Sequence, residues 1–208
     1  MIRFHPSLYI AIVILLMTGN IAVYAMLLIS LYVHEIGHLC FAKLMNEKIA
    51  SCKLTPYGGE IEFSSPYHLT PRSLFFISIG GPIFTILLLI CLLFIPLPVM
   101  ELMIQLQLLI LGINLLPFLP LDGGQVVYAI LEHRKGILFA QKLMYRSSIG
   151  FFIVLTIGLS FYLPNTMLYM LLTIFLFTQN FRRYQQLRYE NAIRKIIHRK
   201  PYKFYNNC

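Results

Sequence analysis

Long apolar segments constrain the fold of this chain more than any other feature. Of its 208 residues, 58% are hydrophobic and only 12% are charged, whereas roughly a quarter of the residues in soluble domains are charged. A helix that crosses a bilayer needs about 20 apolar residues. Six runs approach that length, at residues 4–18, 21–44, 73–95, 102–130, 147–163 and 166–181. We therefore expect an all-α membrane protein with six transmembrane helices.

The basic residues are distributed unevenly between the connections. Lys and Arg residues precede the first run, follow the second and the fourth, and fill the tail from Arg182, whereas residues 19–20, 96–101 and 164–165 contain none. Cytoplasmic connections of membrane proteins are the ones enriched in Lys and Arg. We therefore expect a multi-pass protein of the cell membrane with both termini in the cytoplasm. The net charge of +9 follows from this topology, so we expect no nucleic-acid partner.

The chain is expected to divide into a membrane domain, residues 1–181, and a basic cytoplasmic tail, residues 182–208. Tyrosines alternate with basic residues in this tail, which is typical of a helix resting on anionic headgroups. Docking of another domain or protein is the alternative. The N-terminus lacks the basic region and cleavage site of a secretory signal, so we expect the first span to be retained.

Three ionisable residues stand inside the second apolar run. His34 and His38 are four positions apart, which places both imidazoles on one face of a helix, and Glu35 is adjacent. This is the H-E-x-x-H pattern of zinc peptidases, in which zinc lowers the pKa of its water to about 7 and the glutamate is the general base. The pattern alone also arises by chance. Ionisable groups within a bilayer cost several kcal/mol each, however, and persist mainly where they pair, bind metal or face a cavity.

A hydrolytic zinc site usually has three protein ligands, so a third must come from elsewhere. Asp122 is the only aspartate and falls in the fourth apolar run, after Pro117 and Pro120. These prolines break regular helix, which is tolerated at membrane depth only where the backbone faces protein or a cavity. At 1.5 Å per residue, His34 and Asp122 both lie toward the cytoplasmic side of their spans. The alternative role for Asp122 is a helix cap or turn.

The connection between the second and third spans has a sequence pattern typical of a β-strand. Residues 60–63 alternate polar with apolar side chains, and Gly58 and Gly59 precede them. We expect a short membrane-associated β-hairpin or strand here. Gly58, Gly59 and Ile61 are candidate substrate-binding residues, because an edge strand can bind an unwound peptide through main-chain hydrogen bonds. A hairpin in the headgroups without substrate contact is the alternative.

The motif from His34 to His38, combined with residues 114–124 (NLLPFLPLDGG), resembles the site-2 protease family of intramembrane zinc metalloproteases. The similarity is greatest to the sporulation branch, whose members release a sigma factor from a membrane-associated precursor. It extends over nearly the whole chain, including His5-Pro6, Thr18-Gly19, residues 56–59 and Gly81-Pro82.

The resemblance implies roles for individual residues. His34, His38 and Asp122 would bind one zinc ion, and Glu35 would be the general acid and base. Asn114 matches the asparagine of the family motif and would position substrate or the broken helix. The substrate would be a membrane-associated protein, in the sporulation branch a sigma-factor precursor, and membrane inhibitor or regulator proteins would be further partners.

Two features depart from the family pattern. Thr85 stands where many members have asparagine in a Gly-Pro-x-x-Asn sequence, so the resemblance supports no substrate contact there. Sporulation members continue into a nucleotide-sensing CBS domain, whereas this sequence ends at Cys208, so the resemblance supports no inference about a response to nucleotide. Our hypothesis is regulated intramembrane proteolysis. The alternative is a catalytically inactive relative that binds membrane partners or carries metal ions, which the presence of Glu35 disfavours.

Overall fold

A computed structural model describes residues 2–4, 21–55, 58–63, 69–94, 100–164 and 166–199. Apart from its first residue, the first apolar run lies outside these described residues. The chain forms two compact units, Met1–Ala140 and Gln141–Cys208. The first unit contains the residues that the sequence singles out, so its architecture determines how they meet.

Among the described residues, four helices lie wholly in the first unit: α1 (Ile21–Leu44), α2 (Pro71–Leu93), α3 (Met100–Asn114) and α4 (Asp122–Lys135). Helix α2 begins where the side chain of Thr70 accepts a hydrogen bond from the Ser73 N–H, with Pro71 at the first helical position. Both features favour helix initiation at this point.

Helices α1 and α2 approach each other closely through two glycines. A Cβ atom added to Gly37 would overlap the carbonyl oxygen of Gly80, and one added to Gly80 would lie 2.6 Å from the carbonyl oxygen of Gly37. Small residues permit such backbone contact between membrane helices. The contact places the motif of α1 against the middle of α2.

The fourth apolar run is interrupted rather than continuous. Helix α3 ends at Asn114 and α4 begins at Asp122, and the intervening residues contain Pro117 and Pro120, which cannot continue a helix. The break is held by local hydrogen bonds: the Leu121 N–H donates to the Phe118 carbonyl at 3.0 Å, and the side-chain amide of Gln125 donates to the Pro120 carbonyl at 3.0 Å. Asp122 therefore lies at a helix start.

A three-stranded sheet of order β1-β2-β3 accompanies the helices. Its strands are β1 (Ile2–Phe4), β2 (Ile49–Thr55) and β3 (Gly58–Phe63). β1 pairs with β2 in parallel, with Arg3 opposite Lys53, and β2 pairs with β3 in antiparallel fashion, with Cys52 opposite Ile61. Where we expected a short hairpin or strand, the chain has a sheet that also recruits the N-terminal segment.

The second unit contains most of α5 (Ile137–Ser160) and all of α6 (Met167–Arg199). The hydroxyls of Thr156 and Thr173 lie 3.0 Å apart between these helices, and the Arg146 Nε donates to the Tyr184 hydroxyl at 3.2 Å. Polar contacts between helices of this kind stabilise packing where lipid offers no competing partner.

The prediction of an all-α protein with six transmembrane helices is wrong. Among the described residues, three helical segments are long and apolar enough to cross a membrane: Ala25–Leu44, Pro71–Leu93 and Ile137–Ser160. The run at residues 102–130 is divided between α3 and α4, because its prolines end one helix before the next begins. The sheet, moreover, makes the fold more than a helical bundle.

Candidate metal centre

Three side chains from two helices converge in the first unit. The Nε2 atom of His34 lies 2.9 Å from Oδ2 of Asp122 and 3.2 Å from Nε2 of His38. The Nε2 atom of His38 lies 3.4 Å from Oδ1 of Asp122. All three residues are buried, with exposed fractions of 3% for His34, 8% for His38 and 7% for Asp122. The cluster forms because the two histidines are four positions apart in α1 and Asp122 lies at the start of α4.

The opposite nitrogen of each imidazole is held by α2. Nδ1 of His38 lies 2.8 Å from the Ile77 carbonyl oxygen, and Nδ1 of His34 lies 2.8 Å from the Thr85 hydroxyl. A carbonyl oxygen only accepts, so the His38 Nδ1 carries a proton and its Nε2 presents a lone pair when the ring is neutral. Metal-binding histidines commonly donate their second N–H to an oxygen in this way.

The acceptor atoms of the cluster suit a bound cation. When both rings are neutral, three atoms at the centre are acceptors: the two carboxylate oxygens of Asp122 and Nε2 of His38. Only the His34 ring can then direct a proton at them. A buried group of acceptors is costly unless a positive charge compensates it. The three residues are a set that could hold one metal ion, and two imidazoles with one carboxylate is a ligand set of catalytic zinc.

Space for an ion is provided by Gly81. A Cβ atom added to this residue would lie 2.6 Å from the His34 Nε2 and would overlap the His38 Nε2. In a tetrahedral zinc site with bonds of about 2.0–2.1 Å, ligand atoms are about 3.3 Å apart. The two Nε2 atoms are 3.2 Å apart, and each lies 2.9 or 3.4 Å from a different oxygen of Asp122. These separations are near this value, and the residues could hold a zinc ion.

The other residues that the sequence singled out occupy separate positions. Glu35 follows His34 in α1 and is partly exposed. Asn114 is the last residue of α3, and its side-chain amide donates to the Ile110 carbonyl one turn earlier, at 3.1 Å. Gly58, Gly59 and Ile61 lie in β3, opposite residues of β2.

Sequence reasoning missed three contributions to the cluster, all from α2. The Ile77 carbonyl is a backbone group, so the type of residue at this position does not reveal its contact with His38. In the sequence, Gly81 is part of the family pattern and Thr85 is a departure from it, and neither indicates a contact with the histidines. The apolar run of α2 supplied no signal for these contacts, because they depend on how α2 is rotated against α1.

Comparison with known proteins agrees with this geometry. Residues 22–100 match Peptidase family M50. The chain is 29% identical over 194 residues to stage IV sporulation protein FB of Bacillus subtilis, covering 90% of this chain and 67% of that protein. It is 30% identical over 129 residues to zinc metalloprotease MJ0392 of Methanocaldococcus jannaschii, covering 58% of this chain and 37% of that protein.

A solved structure shares the fold. The site-2 protease from Methanocaldococcus jannaschii matches with a TM-score of 0.66 and 26% identity, over 87% of this chain and 89% of that one. The sequence match, the shared fold and the grouped His34, His38 and Asp122 point to the same class of enzyme. Residues 22–100 thus match peptidase family M50, and the chain is similar in sequence and in fold to zinc metalloproteases of the site-2 type.

Proposed function

We propose that this protein hydrolyses a peptide bond in or near a membrane-associated segment of a protein substrate. His34, His38 and Asp122 are assigned as ligands of one zinc ion, and Glu35 as general base and acid. The observation that carries the proposal is the convergence of three buried ligand atoms within 4.8 Å of one another. Burying a carboxylate between two imidazoles is costly in an apolar environment and is repaid by a bound cation.

The chemistry follows from the groups at the centre. A zinc ion bound there would lower the pKa of a water molecule and polarise the substrate carbonyl. Glu35 accepts the proton of the attacking water and then donates it to the leaving amine. The two histidines are held by Thr85 and by the Ile77 carbonyl, so the cluster is organised before substrate binds.

The active site is proposed to open toward the cytoplasm. His38 lies six positions before Leu44, the last residue of α1, which corresponds to about 9 Å along the helix axis. That end of α1 has Lys43 in its last turn and is followed by Lys48 and Lys53, and cytoplasmic connections are enriched in such basic residues. Pairing of β1 with β2 supports a cytoplasmic N-terminus, and the basic tail supports a cytoplasmic C-terminus.

Substrate binding is proposed to involve β3. In the described part of the chain this strand pairs with β2 along one edge only, and a free edge can accept an extended peptide by main-chain hydrogen bonds. Gly58, Gly59 and Ile61 would line this edge. Asn114 would contact substrate or fix the break between α3 and α4, where its amide already bonds within α3.

A sigma-factor precursor is the proposed substrate. The support is the similarity to stage IV sporulation protein FB over 90% of this chain, together with the sporulation-branch motifs in the sequence. Membrane inhibitor or regulator proteins are proposed as further partners, since a peptidase of this kind requires control over access to its substrate.

The test is co-expression with a membrane-associated sigma-factor precursor, with precursor size followed on a gel. Wild type and the control Glu101→Gln, which makes the same change at an exposed position of α3, should shorten the precursor. Glu35→Gln should leave it intact. Cleavage by Glu35→Gln at the wild-type rate would contradict the assigned base, and no cleavage by zinc-loaded wild type would overturn the proposed substrate.

A further inference from the structure

Thr85 contacts the candidate metal centre without belonging to it. Its hydroxyl oxygen lies 2.8 Å from Nδ1 of His34, and its side chain is 1% exposed. The two residues come from different helices and are far apart in sequence, so only the packing of α1 against α2 brings them together. His34 thereby has a side-chain partner, whereas the corresponding partner of His38 is the Ile77 backbone.

When Nε2 of His34 faces an ion, its Nδ1 carries the ring proton, and the other contact of the hydroxyl lets Thr85 accept that proton. The Thr85 hydroxyl donates to the Gly81 carbonyl, one turn earlier in α2, at 3.1 Å. A hydroxyl has one proton and two lone pairs, so its oxygen remains an acceptor for the His34 Nδ1–H. Threonine suits this arrangement, because bonding to the i−4 carbonyl holds its side chain in one rotamer.

We infer that Thr85 is a positioning residue for the metal centre: it accepts the Nδ1–H of His34 and so keeps the Nε2 lone pair directed at the ion. The inference rests on the proposed role of His34 as a zinc ligand. It also accounts for the sequence departure at this position, since a hydroxyl oxygen and a carboxamide oxygen can both accept an imidazole N–H. Loss of such a partner typically weakens metal binding by about 10-fold to 100-fold.

The experiment measures zinc affinity of the purified full-length protein by competition with a chromophoric chelator. Thr85→Val keeps the shape of the side chain and removes the hydroxyl, whereas Thr85→Ser keeps the hydroxyl and removes a methyl group. Thr173→Val makes the same change at another buried threonine, whose hydroxyl bonds to Thr156 and to the Met170 carbonyl. The melting temperature of each metal-free variant is recorded alongside.

The expected result is an order of affinities that packing alone would not produce. Thr85→Val should bind zinc about 10-fold to 100-fold more weakly than wild type, while Thr85→Ser and Thr173→Val should retain wild-type affinity. A purely structural role would reverse the order at Thr85, because serine loses the packed methyl. If Thr85→Val does not fold, Thr85→Ala removes the same hydroxyl.

Two outcomes would overturn the inference, and they differ in whether they also refute the proposed function. Wild-type affinity in Thr85→Val, or equal weakening in Thr85→Ser, would refute the positioning role and leave the proposed peptidase intact. Failure of the wild-type protein itself to bind zinc would refute the proposed function and the inference with it.

Discussion

Replacing Gly81 with alanine should remove zinc binding while the fold survives. The new methyl carbon would lie 2.6 Å from the His34 Nε2 and would overlap the His38 Nε2. Ordinary contact begins near 3.4 Å, so the His34 ring must retreat by about 0.8 Å. Ligand distances in metal sites vary by only about 0.2 Å. Both clashing atoms are at the ends of side chains, so the rings can turn away without moving the helices.

Gly81→Ala should weaken zinc binding more than the loss of a hydrogen bond to a metal ligand does. Removing a hydrogen-bond partner of a ligand costs about 10-fold to 100-fold, and Gly81→Ala displaces two ligands directly. We expect at least about a 100-fold loss, or about 2.7 kcal/mol of binding free energy.

Chelator competition measures this affinity, and Gly112→Ala is the matched control. No described atom outside its own helix lies within 4 Å of a Cβ at Gly112, so this variant should bind zinc as wild type does. Wild-type affinity in Gly81→Ala would show that the two Nε2 atoms do not share an ion at this place.

Further predictions concern stability and metal removal. Gly37→Ala should lower the free energy of unfolding in detergent by about 1–3 kcal/mol, because its methyl meets the Gly80 carbonyl, a rigid backbone group; an unchanged denaturation midpoint would argue against this helix contact. Ser30→Ala should be more destabilising than Gln107→Leu. The Gln107 amide donates to Ser30 at 2.6 Å, and its oxygen is buried with no partner among the described residues, so leucine removes both groups together; the reverse order in thermal melts would contradict the assignment. Chelation of the ion should lower the melting temperature, since a ligand at 100 times its Kd stabilises by about 2.7 kcal/mol; equal melting with and without chelator would show that no ion is bound.

The sequence was most informative where chemistry depends on local spacing. His34 and His38 share a face because a helix repeats every 3.6 residues, and Asp122 stood out as the only aspartate, next to helix-breaking prolines. The structure brings these three residues together, although their role as zinc ligands, and that of Glu35 as base, stay predictions. The roles of Asn114 and of β3 also stay predictions.

What the sequence did not reveal depends on contacts between distant segments. Hydropathy predicted six spans, whereas three helices among the described residues are long and apolar enough to cross a membrane. Pairing of β1 with β2 joins strands separated by a whole helix, which no local pattern encodes. Thr85 was marked only as a departure, because its contact with His34 requires the rotation of α2 to be known.

The metal content of purified protein tests the central claim most directly. Asp122 reaches the two histidines of α1 only through the fold, and Asp122→Asn keeps its shape while replacing a carboxylate oxygen by an amide, a much poorer zinc ligand. Elemental analysis should find one zinc per chain in wild type and almost none in Asp122→Asn. Equal zinc in both proteins would contradict the proposed site.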